Sequence, residues 1–230
     1  MGYFYDYTYI FMIPALLISL YAQFKVNSTF KKYSKVRNSR NITGAEAAKR
    51  VLMNSGINDV IIERVSGNLT DHFDPISKVI RLSDSVYNST SVSAIGVAAH
   101  EAGHAVQYNA DYYPIRLRNS LIPVTKFSST ISLPLVFIGL LLPTGYTWVV
   151  VAGAILFSVS MLFELVTLPV EFNASRRAIQ AIETTGLLND QEIKGAKKVL
   201  SAAAMTYLAA LITSRLTLLR LLFIIIRRNN

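Results

Sequence analysis

Apolar positions in this chain gather into four long runs, and polar or charged residues return between them. The first run, about Tyr7 to Phe24, is close to the ~20 residues a helix needs to cross a bilayer. Tyr3, Phe4, Tyr5, Tyr7 and Tyr9 cluster at its start, as aromatic residues do at a headgroup boundary. No basic leader precedes it, and Ala22-Gln23-Phe24-Lys25 is not a small-x-small cleavage site, so a retained anchor is expected. The runs Leu121 to Leu142 and Tyr146 to Leu168 are joined only by Pro143-Thr144-Gly145, which predicts a transmembrane hairpin with both ends on one side. The last run, Tyr207 to Ile226, is interrupted by Arg215 and Arg220 and closed by Arg227-Arg228. A central arginine costs about 2.5–3.5 kcal/mol in a span, so a fourth span and a membrane-associated helix both stay open here.

The polar stretches carry different signals. From Lys25 to Arg50 the only acid among many basic residues is Glu46, which marks the cytoplasmic side by the positive-inside rule. Arg176, Arg177, Lys194, Lys197 and Lys198 agree with that orientation. Thr43-Gly44-Ala45-Glu46 has capping-box spacing ahead of a short helix over Ala47 to Met53, with Gly56 suited to its end. Val60–Val65 and Lys78–Leu82 are rich in β-formers, and the turn-rich Ser66-Gly67-Asn68 and Asp71-His72-Phe73-Asp74-Pro75 lie between them. They predict a small antiparallel ribbon, either structural or able to pair with an extended peptide by strand addition. Pro114 to Asn119 reads as a polar break, and Asn189-Asp190 as the cap of a helix running to Ala204. The expected organisation is an anchor over 1–24, a cytoplasmic portion over 25–120 and a hairpin over 121–168. Cytoplasmic helices over 169–204 and a membrane-associated or transmembrane helix over 205–230 complete it.

Composition sharpens this picture. In 230 residues, 52% are apolar and only 16% charged, against about a quarter in typical soluble domains. The net charge of +9 sits beside apolar runs, where lipid headgroups and topology explain it better than nucleic acid does. Cysteine is absent, so a disulfide framework and a thiolate metal site are both excluded.

The stretch that carries chemistry is His100-Glu101-Ala102-Gly103-His104, set in Ala- and Val-rich sequence with cap residues at Asn88-Ser89-Thr90-Ser91. On a helix, residues four apart share a face one turn apart, so both imidazoles can reach one ion. Glu101 is rotated about 100° from His100, which puts its carboxylate beside the ion. This is the pattern of H-E-x-x-H zinc hydrolases, with two histidine ligands and a glutamate as general base. A catalytic zinc needs about one more protein ligand. Glu171 follows Leu168-Pro169-Val170 where the hairpin re-enters the cytoplasm, and on a helix it shares a face with Ser175. Glu164 is its rival, deeper in the apolar run. His72, the third of three histidines, is a candidate outer partner or oxyanion donor or a loop imidazole without a role. Arg176, Arg177 and Tyr207 are further candidates for the oxyanion.

With His100-Glu101-Ala102-Gly103-His104 and Leu168-Pro169-Val170-Glu171-Phe172-Asn173-Ala174-Ser175 in view, the chain resembles the bacterial YugP-like membrane zinc metallopeptidases. Asp71-His72-Phe73-Asp74-Pro75 and Arg81-Leu82-Ser83 also look like that family, and the resemblance covers nearly the whole chain. It implies a Glu-zincin arrangement like that of the HtpX-type and CAAX-processing membrane peptidases. His100, His104 and Glu171 would hold one Zn2+ per chain, with Glu101 as the base. The larger relatives often carry an acid where Ser175 stands, and Asn173 occupies a position expected to be Asp, so the groups outside the ligands differ here. The implied fold is a mostly α membrane protein with a zincin-like α+β catalytic portion on a bundle of three to four transmembrane helices. The implied function is hydrolysis of peptide bonds in polypeptide substrates by a zinc-activated water, at the cytoplasmic face of the bacterial cell membrane. The alternatives are a metal-binding but inactive membrane scaffold, an intramembrane protease and, more remotely, a transporter built on Arg215 and Arg220. The intramembrane protease is disfavoured because polar residues on both sides leave the motif helix too short to span.

Overall fold

The computed structural model describes residues 7–229, so Tyr3, Phe4 and Tyr5 of the aromatic cluster lie outside the described residues. The protein is mostly helical, with α1 (Met12–Tyr33), α2 (Gly44–Asn54), α3 (Val92–Asn109), α4 (Tyr113–Leu141), α5 (Thr147–Thr185) and α6 (Asp190–Asn229). Three short strands, β1 (Ile61–Val65), β2 (His72–Asp74) and β3 (Val79–Ser83), lie between α2 and α3. Among the described residues, four helical stretches are long and apolar enough to cross a membrane: Thr8–Tyr33, Tyr113–Leu141, Thr144–Thr185 and Asp190–Asn229.

Three helices run on through places where the polarity of the sequence changes. The basic stretch after Phe24 continues α1 to Tyr33, because nothing from Lys25 to Tyr33 is a proline or glycine. The polar residues from Pro114 to Asn119 form the start of α4, where a first-turn proline removes no needed N–H. The segment after Asn189 is one unbroken helix, with Gly195 as its only breaker-type residue and no proline. A change in polarity near residue 205 is thus not a change in backbone.

The chain divides into two compact units. One comprises Met1–Gln23, Leu117–Leu168 and Thr206–Asn230. Within it, α4 and α5 approach closely because two glycines face the partner helix. A Cβ on Gly153 would lie 2.6 Å from Val136, and one on Gly139 would lie 2.8 Å from Val150. Small residues let backbones meet in this way where burial from water supplies no drive. The helices are joined by a 3-10 turn, Thr144–Tyr146, and Arg228 of α6 donates to the carbonyls of Leu142 and Pro143. Arg220 stands 4.4 Å from the Tyr9 ring centroid and donates to Thr8 Oγ1, so this charge is partnered inside the unit. Large apolar side chains such as Leu17, Phe137, Trp148 and Ile155 face outward, as lipid-facing residues do.

The other unit comprises Phe24–Arg116 and Pro169–Met205. Its core is built from Val51, Ile80, Leu82, Val86, Ile95, Ile182 and Leu187. α2 begins in a capping box, with Thr43 Oγ1 accepting from the Glu46 N–H and the Glu46 carboxylate accepting from the Thr43 N–H. The sheet corrects the expected antiparallel ribbon. Its order is β1-β3-β2, with β1 parallel to β3 and β2 antiparallel to β3. The physical reason lies in the segment expected to be turn. Asp74 Oδ1 accepts from the Ile76 N–H and Lys78 adopts a φ of 54°, which closes a tight β2–β3 hairpin. His72-Phe73-Asp74 therefore supplies the antiparallel neighbour, and β3 returns in the direction of β1.

Thr43→Ala is expected to cost about 1 kcal/mol by removing the cap acceptor. A lower thermal midpoint of the detergent-purified protein checks this, and an unchanged midpoint would contradict the capping role.

Candidate metal centre

α3 starts where Ser91 Oγ accepts from the Ala94 N–H, and its buried face is lined by Ala94, Ala98, Ala99, Ala102 and Ala105. Small side chains there let a second helix come close. A Cβ on Gly103 would lie only 2.7 Å from the Ala174 carbonyl of α5, so glycine is required for this crossing. The consequence is that residues one turn either side of the crossing face one another.

His100 and His104 stand with ring centroids 4.7 Å apart. Glu171 Oε2 lies 3.2 Å from His100 Nε2 and 3.6 Å from His104 Nε2, and its side chain is almost wholly buried. One ligand atom from each residue falls within 4.8 Å of the others. Bonds of about 2.0–2.2 Å to a tetrahedral zinc would separate its ligand atoms by roughly 3.3–3.6 Å, close to the two distances from Glu171 to the imidazoles. The hydrogen-bond network gives an independent test of fit. Gln107, fully buried, donates from Nε2 to the Val170 carbonyl at 2.8 Å and to Asn173 Oδ1 at 3.0 Å. Its Oε1 must then accept, so His104 Nδ1, at 3.0 Å, carries the proton. His104 Nε2 then faces the Glu171 carboxylate, and in the neutral ring it turns a lone pair towards that second acceptor. Two acceptors facing each other in a buried site call for a cation, so the residues present fit a divalent metal. His100 Nδ1 has its own outer partner in Ser175 Oγ, at 3.1 Å.

Glu101 is buried beside the histidines. Burial pushes its carboxyl up to about 7, opposed by nearby His100 and reinforced by Glu171 and Asp71. Asp71 accepts from the Ser83 N–H at 2.7 Å and from Ser83 Oγ at 2.9 Å, which ties the entry to β2 onto the end of β3. Burial raises its carboxyl despite those bonds.

The remaining candidates sit further out. His72 is exposed on β2, with Nδ1 donating to the Thr70 carbonyl. Arg176 is exposed, and Arg177 Nε donates to Asn173 Oδ1 with its guanidinium 6.0 Å from the Tyr112 ring centroid. Glu164 belongs to the other unit and accepts from Ser214 Oγ at 2.9 Å. Sequence reasoning missed Gln107 and the role of Asp71. The only available signal for Gln107 was its place three residues after His104, on the same helical face.

Residues 8–226 match the sequence model of a family described as "putative neutral zinc metallopeptidase". The chain belongs to that family. A relative in Bacillus subtilis (strain 168), named "Putative membrane protease YugP", is 50% identical over 212 residues, which is 92% of this chain and 93% of the relative. No solved structure matches the chain. That family, the relative's name and four helices long and apolar enough to cross a membrane together support a membrane protein with a protease function. The His100, His104 and Glu171 group of this family member could hold a metal ion.

Because the α3–α5 crossing depends on Gly103, Gly103→Ala is expected to overpack it and cost about 1–3 kcal/mol. Thermal melting with chelator present checks this apart from any metal, and a melt equal to that of the native sequence would contradict the close approach.

Proposed function

We propose that the chain is a zinc-dependent endopeptidase that hydrolyses peptide bonds of polypeptide substrates at the cytoplasmic face of the bacterial cell membrane. The observation that carries this reading is the meeting of His100, His104 and Glu171 donor atoms beside the buried acid Glu101. In this reading the catalytic portion, over 25–120 and 169–204, is zincin-like, and 1–24, 121–168 and 205–230 anchor it in the bilayer. The basic residues next to the apolar runs support the cytoplasmic orientation.

His100, His104 and Glu171 would hold the zinc, one ion per chain, in a Glu-zincin arrangement. Bound there, zinc would polarise the scissile carbonyl and lower the pKa of a water towards about 7. Glu101 takes a proton from the attacking water and later delivers it to the leaving amine, and a carboxyl near neutrality suits both transfers. Gln107 holds the His104 tautomer, and Ser175 orients His100. His72, Arg176 and Arg177 are the residues from which an oxyanion donor would be drawn.

Metal analysis of the detergent-purified protein, paired with casein cleavage with and without chelator, tests the reading. Glu101→Gln is expected to keep its zinc and lose about 10²–10⁴-fold in turnover. His104→Ala and Glu171→Ala are expected to lose both metal and turnover, and Gln107→Leu to bind zinc about 10–100-fold more weakly. Bound zinc without any cleavage would point instead to an inactive scaffold, and full activity of the Glu101→Gln protein would refute the assigned base.

A further inference from the structure

Away from the metal centre, α1 and α6 enclose a groove of about 650 Å³. On α1 the lining residues Lys25, Ser28, Thr29 and Lys32 recur at helical spacing and so form one face. On α6 the groove is lined by Lys197, Lys198 and Ser201. No carboxylate lines it. Lys197 is bridged to Glu183 at 2.8 Å, while Lys25, Lys32 and Lys198 have no carboxylate partner among the described residues. The hydroxyls of Thr29 and Ser201 carry no protein hydrogen bond among those residues either. At one end Tyr33 packs its ring over Gly195, where a Cβ would come within 2.7 Å. At the other end the lining residues are Lys25, which directly follows the apolar run of α1, and Met205, which lies two residues before that of α6.

We propose that this groove binds the phosphodiester headgroup of an anionic membrane lipid. Excess positive charge without a counter-charge is mutually repulsive, and a phosphate diester relieves it while accepting hydrogen bonds from ammonium and hydroxyl groups together. Basic pockets between membrane helices on the cytoplasmic side take such headgroups. Both helices turn apolar next to Lys25 and Met205, which suits a ligand whose phosphate continues into acyl chains and not a free anion. Met205 and the buried Ala202 supply apolar lining on α6. General enrichment of lysine beside apolar runs accounts for the charge but not for its convergence on one groove.

The test uses the full chain in non-ionic detergent, titrated with dioleoylphosphatidylglycerol, with dioleoylphosphatidylcholine, or with inorganic phosphate. Binding is read by native mass spectrometry and by the thermal midpoint. Phosphatidylglycerol is expected to bind and raise the midpoint, and the other two are not. Lys25→Gln with Lys198→Gln should weaken that binding about thirtyfold, at about fivefold per lysine. Lys31→Gln with Lys194→Gln removes the same charge from the same helices outside the groove and should leave affinity within about twofold. If the first pair fails to fold, Lys198→Gln alone should show the fivefold loss. Equal losses from both pairs, equal binding of the zwitterionic lipid, or equal effect of inorganic phosphate would each overturn the proposal.

Discussion

The candidate site depends on how closely two helices cross. α3 and α5 meet at Gly103 and Ala174, where no side chain larger than hydrogen fits on the α3 side. The contacts of the candidate metal centre that pass between α3 and α5 lie within about one turn of that point. Gln107, one turn beyond it on α3, reaches Val170 and Asn173 on α5, and His100, one turn before it, reaches Ser175. Glu171 is carried to both imidazoles as a result. A helix pair held at ordinary side-chain spacing, about 8–10 Å between axes, would leave these groups short of one another.

The electrostatics follow from burial. Water is largely excluded, so each polar atom needs a stated partner, and the amide of Gln107 is satisfied on both its ends. That satisfaction is directional. It assigns the Nδ1 proton of His104 and turns a lone pair towards a carboxylate, an arrangement that neutral packing alone does not stabilise. The same burial raises the Glu101 carboxyl towards neutrality, as the proposed proton transfers require.

Much of this was legible in the chain, and what was not has physical reasons. The nearness of His100 to His104 is a local property of helical spacing and could be read directly. The capping box at Thr43 and Glu46 was equally local. Glu171 lies 71 positions after His100, so its place beside the histidines is not in any local pattern and was expected only from the hairpin's return and the family resemblance. Gln107 was invisible because a buried amide on an alanine-rich helix looks, in sequence, like an exposed one. The β-rich windows were readable as strands, but their relative direction was not. Asp74 and Pro75 marked a turn, and the three residues ending in Asp74 form the strand that reverses the pairing. The length of α6 was missed because polarity changes near residue 205 while helix propensity does not.

The most direct test of the account is X-ray absorption at the zinc edge of the purified protein and of its Glu171→Ala variant. The account predicts two imidazole nitrogens and carboxylate or water oxygen at about 2.0–2.2 Å, without sulfur, and a loss of protein oxygen or of the metal itself in the variant. A native shell lacking two imidazoles, or a shell and zinc content unchanged in the variant, would contradict it.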